Sequence, residues 1–284
     1  MLRATHMNSW YPSGQQLDNM LKNAYDEAKL CPGSGLIKAI IVPHAGYRFC
    51  VKTSMNAFRN LDPSAYDRVF VLGPSHQIPI SNCTIADATS AESPYGEIPF
   101  DTEVCNTLTS KYPKLFKKLD RETASIEHSM EMEFPLLKYV FKNKPFKVVP
   151  IMIGQLSFDA CTATAEALSE FVTDPKTLLV ISSDFCHWGG RFGYTYLPSI
   201  DGQVYEKISK LDHDGADMIS TGDPKQFKQY LDKTKNTICG RNAILIMMNI
   251  FKGKHAQFLH YSQSSQITSK SDSSVSYFSA ILRE

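Results

Sequence analysis

Histidine, cysteine and aspartate are the residue types here that can bind a transition metal or move a proton, and several of them recur in one kind of setting. His44 follows the apolar run Ile37–Val42 and a proline. His76 follows residues 68–72 and Gly73-Pro74-Ser75, while Asp184 and His187 follow residues 178–181 and Ser182-Ser183. Apolar β-branched runs closed by turn residues predict buried strands, so these side chains should leave the C-terminal ends of strands, where α/β folds place their chemistry. The chain between His44 and His76 is long enough for one helix, which suits successive strands and sets the two imidazoles across one crevice. Neutral imidazoles suit iron, copper or zinc, and a third ligand is needed to hold such an ion against water. Asp184, His187, His128 and Cys239 are the candidates. Cys239 falls at the start of a predicted helix, where unpaired N–H groups and the macrodipole favour the thiolate.

Each residue has a plainer reading. A lone histidine after a strand is more often a hydrogen-bonded structural residue than a ligand; the shared setting of His44, His76, Asp184 and His187 favours function. His6, His213, His255 and His260 lack that setting and read as structural or surface residues. Cys186 and Trp188 read as packing, and Cys31, Cys50, Cys83, Cys105 and Cys161 as small apolar side chains. Asp184 in Ser-Ser-Asp also suits a turn cap, Glu127 with His128 a capping arrangement, and Glu131 or Glu133 a solvated face.

The elements that must position these groups follow from periodicity. Residues 17–28 predict an amphipathic first helix, residues 50–60 a second, 101–111 a third capped by Asp101 or Thr102, and 127–141 a fourth that tolerates Pro135 near its start. Strands are expected at 37–42, 68–72, 82–86, 146–153, 177–181, 256–261 and 275–282, with helices at 158–172, 203–220, 224–232 and 243–251. The last is apolar nearly all round and should be central. Residues 87–100 read as a surface loop of the kind that carries function, and 188–202 as a long loop over a site. Strand and helix alternate without a linker or repeat. This predicts one α/β domain over 1–284, with a central mixed, largely parallel sheet flanked by helices.

With 284 residues, 43% of them hydrophobic, the chain can bury a large core, and 30 basic against 29 acidic residues leave no field to attract nucleic acid. No apolar run is long enough to insert in a membrane. Seven cysteines without CxxC pairs and no leader pattern predict reduced thiols in the cytoplasm, with the nucleus also open.

The motifs Val42-Pro43-His44-Ala45-Gly46-Tyr47, Leu72-Gly73-Pro74-Ser75-His76, Glu127-His128-Ser129-Met130-Glu131, Ser182-Ser183-Asp184-Phe185-Cys186-His187-Trp188-Gly189 and Asn236-Thr237-Ile238-Cys239-Gly240-Arg241 together resemble the Memo family, named for mediator of ErbB2-driven cell motility. The resemblance runs from Ser9 to Tyr277. It implies a fold similar to the class III extradiol dioxygenases, non-haem iron enzymes that open catechol rings. It further implies iron(II) or copper, ahead of zinc, bound by His44, His76 and Cys239, with His187, Asp184 and His128 as catalytic residues around it. A thiolate where the ring-opening enzymes present a carboxylate changes the metal preference and points to a metal-dependent oxidoreductase other than a ring-opening one. O₂ or a small molecule at the metal, and a phosphotyrosine peptide or signalling protein as partner, are the ligands implied, with roles in motility and growth signalling and in redox or metal homeostasis. The alternative is a non-catalytic scaffold whose vestigial cleft binds phosphopeptides, with Arg191 and Arg241 to pair the phosphate. Near the N-terminus, His6-Met7-Asn8-Ser9-Trp10 replaces the family's usual His-Ala-Gly-Ser-Trp, so a different loop conformation is expected there. A zinc hydrolase is disfavoured because no carboxylate stands at HExxH spacing.

Overall fold

Runs of Val, Ile, Leu and Phe that can bury both faces form the strands, and stretches with apolar residues at helical intervals cover them. The computed structural model describes residues 1–284. Its strands are β1 (Ile37–Val42), β2 (Arg68–Pro74), β3 (Cys83–Ala86), β4 (Ser90–Ala91), β5 (Ile98–Pro99), β6 (Phe116–Leu119), β7 (Lys147–Ile153), β8 (Thr177–Ser182), β9 (His187–Trp188), β10 (Ala256–Gln263) and β11 (Ser274–Arg283). Its helices are α1 (Gly14–Glu27), α2 (Tyr47–Phe58), α3 (Thr102–Lys111), α4 (Arg121–Ser125), α5 (His128–Glu131), α6 (Phe134–Phe141), α7 (Phe158–Val172), α8 (Val204–Ser220), α9 (Pro224–Thr234) and α10 (Arg241–Ile250).

The main sheet runs β10-β11-β1-β8-β2-β7-β3-β6, with β9 joined to β11. Its centre, β1-β8-β2-β7, is parallel, while β11 against β1 and β3 against β7 are antiparallel. The sheet is therefore mixed and largely parallel, as expected. Alternation along each strand feeds two cores. Ile41, Phe70, Leu72 and Ile181 face α7, α8, α9 and α10, whereas Ile40, Val42, Val71 and Val180 face α1, α2 and α6. Helix α10 is buried from Ala243 to Met248, as its all-round apolar character predicts.

Several expectations change. β1 and β2 are successive strands joined by α2, as expected, but β8 lies between them in the sheet, an insertion that strand periodicity does not predict. That order improves the site: Ile41, Ile181 and Leu72 lie side by side, and three or four residues onward each chain presents His44, Asp184 or His76. Residues 87–100 are not a free surface loop, since β4 and β5 pair and Ile98 and Phe100 are buried. The helix expected over 127–141 is two, α5 and α6, separated at Met132-Glu133 ahead of Pro135, which cannot donate within a helix. β6 and α4 carry too few apolar residues to show a period. Lys38, inside the apolar run of β1, is fully buried; its ammonium donates to the carbonyls of Asp174 and Thr177 at the entry to β8. No helix is long and apolar enough to cross a membrane.

Candidate metal centre

His44 leaves β1 after Pro43 and is 1% exposed. Its backbone N–H donates to Asp184 Oδ1 at 3.0 Å, and its Nδ1 lies 2.8 Å from Ser182 Oγ at the end of β8. With Nδ1 tied back, Nε2 is the nitrogen left for a ligand, and it stands 3.2 Å from Cys239 Sγ.

His76 is fixed by one carboxylate. Glu127, the N-cap of α5, accepts from the His76 backbone N–H at 2.6 Å, from Gln77 N–H at 3.3 Å and from Ser129 N–H at 2.9 Å, and its Oε1 lies 2.9 Å from His76 Nδ1. The capping role expected of Glu127 is present, and it doubles as the anchor of His76. His128, the first residue of α5, stacks on the His76 ring at 4.6 Å and 25°. The nitrogens of His44, His76 and His128 that can serve as ligands all lie within 4.8 Å of one another.

A metal fits this group on three counts. The Nδ1 atoms of His44 and His76 are held by a hydroxyl and a carboxylate, the arrangement that aims Nε2 at an ion. His128 Nδ1 is buried with no hydrogen-bond partner, Glu127 Oε1 standing 3.3 Å away. Two of the imidazoles, His44 and His128, also favour the neutral form that ligates. Burial, then the neighbouring His76, His128 and His187, holds His44 well below the usual histidine range, and burial together with His76 lowers His128 to about 4. His76 goes the other way: burial pulls it down, but hydrogen bonds to Cys239 and Glu127 outweigh that and raise it.

The other expected residues take distinct places. Cys239 precedes α10 and is locked to β8's continuation, its N–H donating to the Asp184 carbonyl at 3.3 Å while the Asp184 N–H donates to Sγ at 3.2 Å. Asp184 turns its carboxyl to the backbone of His44, and burial pushes it up to about 7 against those amide bonds. His187 is clamped through Thr237, which accepts from its N–H at 2.8 Å and donates to its carbonyl at 3.0 Å. Its Nδ1 lies 3.0 Å from the Phe185 carbonyl and so carries the proton.

Two cavities meet at the histidines. The larger, about 1130 Å³, is walled by Trp10, Phe49 and Phe192 beside His44, His128 and Asp184, with Arg48 and Arg191 among its charged residues. The smaller, about 260 Å³, reaches Cys239 and Arg241 from the other side, and His76 and His187 line both. Arg191 thus faces the large cavity, while Arg241 lines the small one and donates to Gln155 at 3.1 Å.

The acidic residues of α5 and its exit correct the solvated-face reading. Glu131 is 5% exposed and Glu133 fully buried. Glu131 accepts from the His6 N–H at 2.9 Å and the Tyr11 hydroxyl at 2.8 Å, drawing the N-terminal loop over the site so that Trp10 lies 4.3 Å from the His128 ring. The sequence signal was present: carboxylates spaced through an otherwise apolar stretch, which burial demands be paired. Asn8 in that loop has φ +65°, a left-handed conformation that glycine adopts freely and asparagine tolerates best among the rest. Either asparagine or glycine suits this conformation. Asn8→Val should lower stability by roughly 1–3 kcal/mol in urea unfolding, while Asn8→Gly should stay within about 1 kcal/mol of the parent.

The sequence profile described as "Memo-like protein" matches residues 3–281. Protein memo-1 homolog of Caenorhabditis elegans is 38% identical over 289 residues, covering 98% of this chain and 81% of its own. Protein MEMO1 of Danio rerio is 38% identical and that of Homo sapiens 35%, each match covering 98% of this chain and 96% of the relative.

Proposed function

The chain belongs to the Memo family, and from that premise we propose that it is a cytosolic metal-binding redox protein holding iron(II) or copper through His44, His76 and Cys239, with His128 as the adjoining imidazole. The observation that carries this is a set of three imidazoles whose ligand nitrogens lie within 4.8 Å of one another, two with Nδ1 tied back, and the Cys239 thiol 3.2 Å from one of them, His44 Nε2. Mixed nitrogen and thiolate donors suit iron and copper and, once an ion is bound, supply one-electron chemistry. The protein's own groups define what surrounds it. Trp10, Phe49 and Phe192 give the large cavity an aromatic wall, Asp184 holds the His44 backbone, and His187 is the proton donor or acceptor between the two cavities.

Metal analysis of untagged protein prepared without chelator tests this reading, with cobalt(II) as a spectroscopic probe. A near-stoichiometric ion is expected, weakened at least about tenfold in His44→Ala and in Cys239→Ser, the latter also losing the thiolate-to-cobalt charge-transfer band. His128→Ala should keep that band. A metal-free protein that takes up no cobalt, or a Cys239→Ser variant with an unchanged spectrum, would refute it.

A second reading rests on the size of the large cavity, which exceeds what a small molecule at the ion needs and carries Arg48 and Arg191 among aromatic walls. On this reading the cleft takes a phosphorylated peptide from a signalling partner. Affinity for a phosphotyrosine peptide that falls in Arg191→Ala and on dephosphorylation supports it; affinity indifferent to both removes it.

A further inference from the structure

The hydrogen-bond geometry behind His44 assigns a further positioning residue: we propose that Glu133 is a neutral, protonated acid that donates to Ser182 and thereby fixes His44 as the Nδ1–H tautomer, leaving Nε2 free to bind metal. The inference rests on the proposed metal site for its use, though not for its test.

Ser182 Oγ has three neighbours at hydrogen-bonding distance: the Ser129 carbonyl oxygen at 2.6 Å, Glu133 Oε1 at 2.8 Å and His44 Nδ1 at 2.8 Å. A serine hydroxyl owns one proton and two lone pairs. The carbonyl can only accept, so the serine proton goes there. Both remaining contacts must then be bonds that Ser182 accepts, which requires a proton on His44 Nδ1 and another on Glu133 Oε1. Any other arrangement leaves two lone pairs facing each other within a fully buried site, at a cost of about 1–3 kcal/mol per unmet bond.

The surroundings of Glu133 agree. It is 0% exposed, no basic side chain pairs with it, and its second oxygen, Oε2, has no hydrogen-bond partner. An ionised carboxylate in that position would be uncompensated, whereas a protonated acid needs one acceptor and has it in Ser182. Asp184, Tyr47 and Cys50 are the titratable groups acting on it, none of them a source of positive charge, and His44 across Ser182 is held well below the usual histidine range by burial. Burial and the Asp184 charge both push its pKa upward, against the Ser182 hydrogen bond. The pairing resembles the carboxylate that holds His76, but the charge differs. Glu127 is a buried anion beside the partly exposed His76, and Glu133 is a neutral acid in the core.

Two measurements test this on the full chain. Carboxyl carbon NMR of metal-free protein at neutral pH should find Glu133 protonated, and imidazole nitrogen NMR should find His44 protonated at Nδ1. An ionised Glu133 or an Nε2–H His44 overturns the proposal whether or not the protein binds metal. In cobalt(II) titrations, Glu133→Gln keeps a donor toward Ser182 and should bind within about threefold of the parent, while Glu133→Leu, of similar volume, should bind about 10–100-fold more weakly. Equal losses in a folded Glu133→Gln and Glu133→Leu would mean that a negative charge is what matters and would overturn it; so would parental affinity in Glu133→Leu.

Discussion

Glu127→Ala is expected to lower the stability of the metal-free protein by roughly 2–5 kcal/mol and to weaken metal binding about 10–100-fold. This carboxylate is 3% exposed and serves three backbone amides and the Nδ1 of His76. A hydrogen bond to a charged group contributes about 1.5–3 kcal/mol, and truncation leaves the amides of His76, Gln77 and Ser129 without their acceptor. Water reaches some of them, because the side chain of His76 is 29% exposed, and this keeps the cost below the sum of the bonds. Glu127→Gln should be intermediate, since an amide presents one oxygen where two are used. The acid limb separates charge from shape. Burial raises the Glu127 pKa, but the bond and charge of His76 outweigh burial and hold it down at about 2. A carboxyl depressed in the folded state stabilises above its unfolded pKa and loses that contribution as pH falls towards the folded value. Urea unfolding of the parent should therefore weaken from about pH 4.5 down to pH 2, and Glu127→Gln should lack that part of the decline. A variant with the parental acid profile would show that the carboxylate is not the anchor of His76.

What could be read in the sequence divides along physical lines. Strands such as β1, β2 and β8 are legible because both faces are buried, which leaves long β-branched runs ending in turn residues. The positions of His44, His76 and Asp184 follow directly, since a strand end is a local property. The order of strands is not local. Nothing in residues 37–76 indicates that β8 will insert between β1 and β2, yet that insertion sets Asp184 between the two histidines and brings Ser182 under His44. His128 was legible as a candidate, and its stacking on His76 was not, because it depends on Glu127, the N-cap of α5, bonding the backbone and ring of His76 from a distant segment. Glu131 and Glu133 fail for a different reason. Helical periodicity assigns charged residues to the solvent, and here the acids point inward because they meet hydroxyls, an imidazole and a backbone amide contributed by distant segments.

Gly240→Ala should destabilise the protein by about 1–3 kcal/mol and abolish the thiolate signature of bound cobalt(II). The backbone at Gly240 has φ −86°, which any residue adopts, so the requirement is for space and not for glycine's torsional freedom. A Cβ there would lie 2.4 Å from Ser183 Cβ, 2.6 Å from Ser183 Oγ and 2.9 Å from the Ser182 carbonyl oxygen. Neither side can yield at low cost. Ser183 is held by its N–H to the Val42 carbonyl at 2.8 Å and by its hydroxyl, which accepts from the Gly240 N–H at 3.0 Å. Helix α10 is packed in the core on its other faces. The relief left is for the start of α10 to lift away from the end of β8, and Cys239 is the residue that travels with it, breaking the 3.2 Å approach to His44 Nε2. The histidines stay in place, so the ion should still bind through them while its spectrum loses the sulfur contribution. Gly190→Ala is the control, because a Cβ there meets nothing within 4 Å. A Gly240→Ala protein as stable as that control, with an intact charge-transfer band, would show that the close approach of α10 to β8 does not place the thiol.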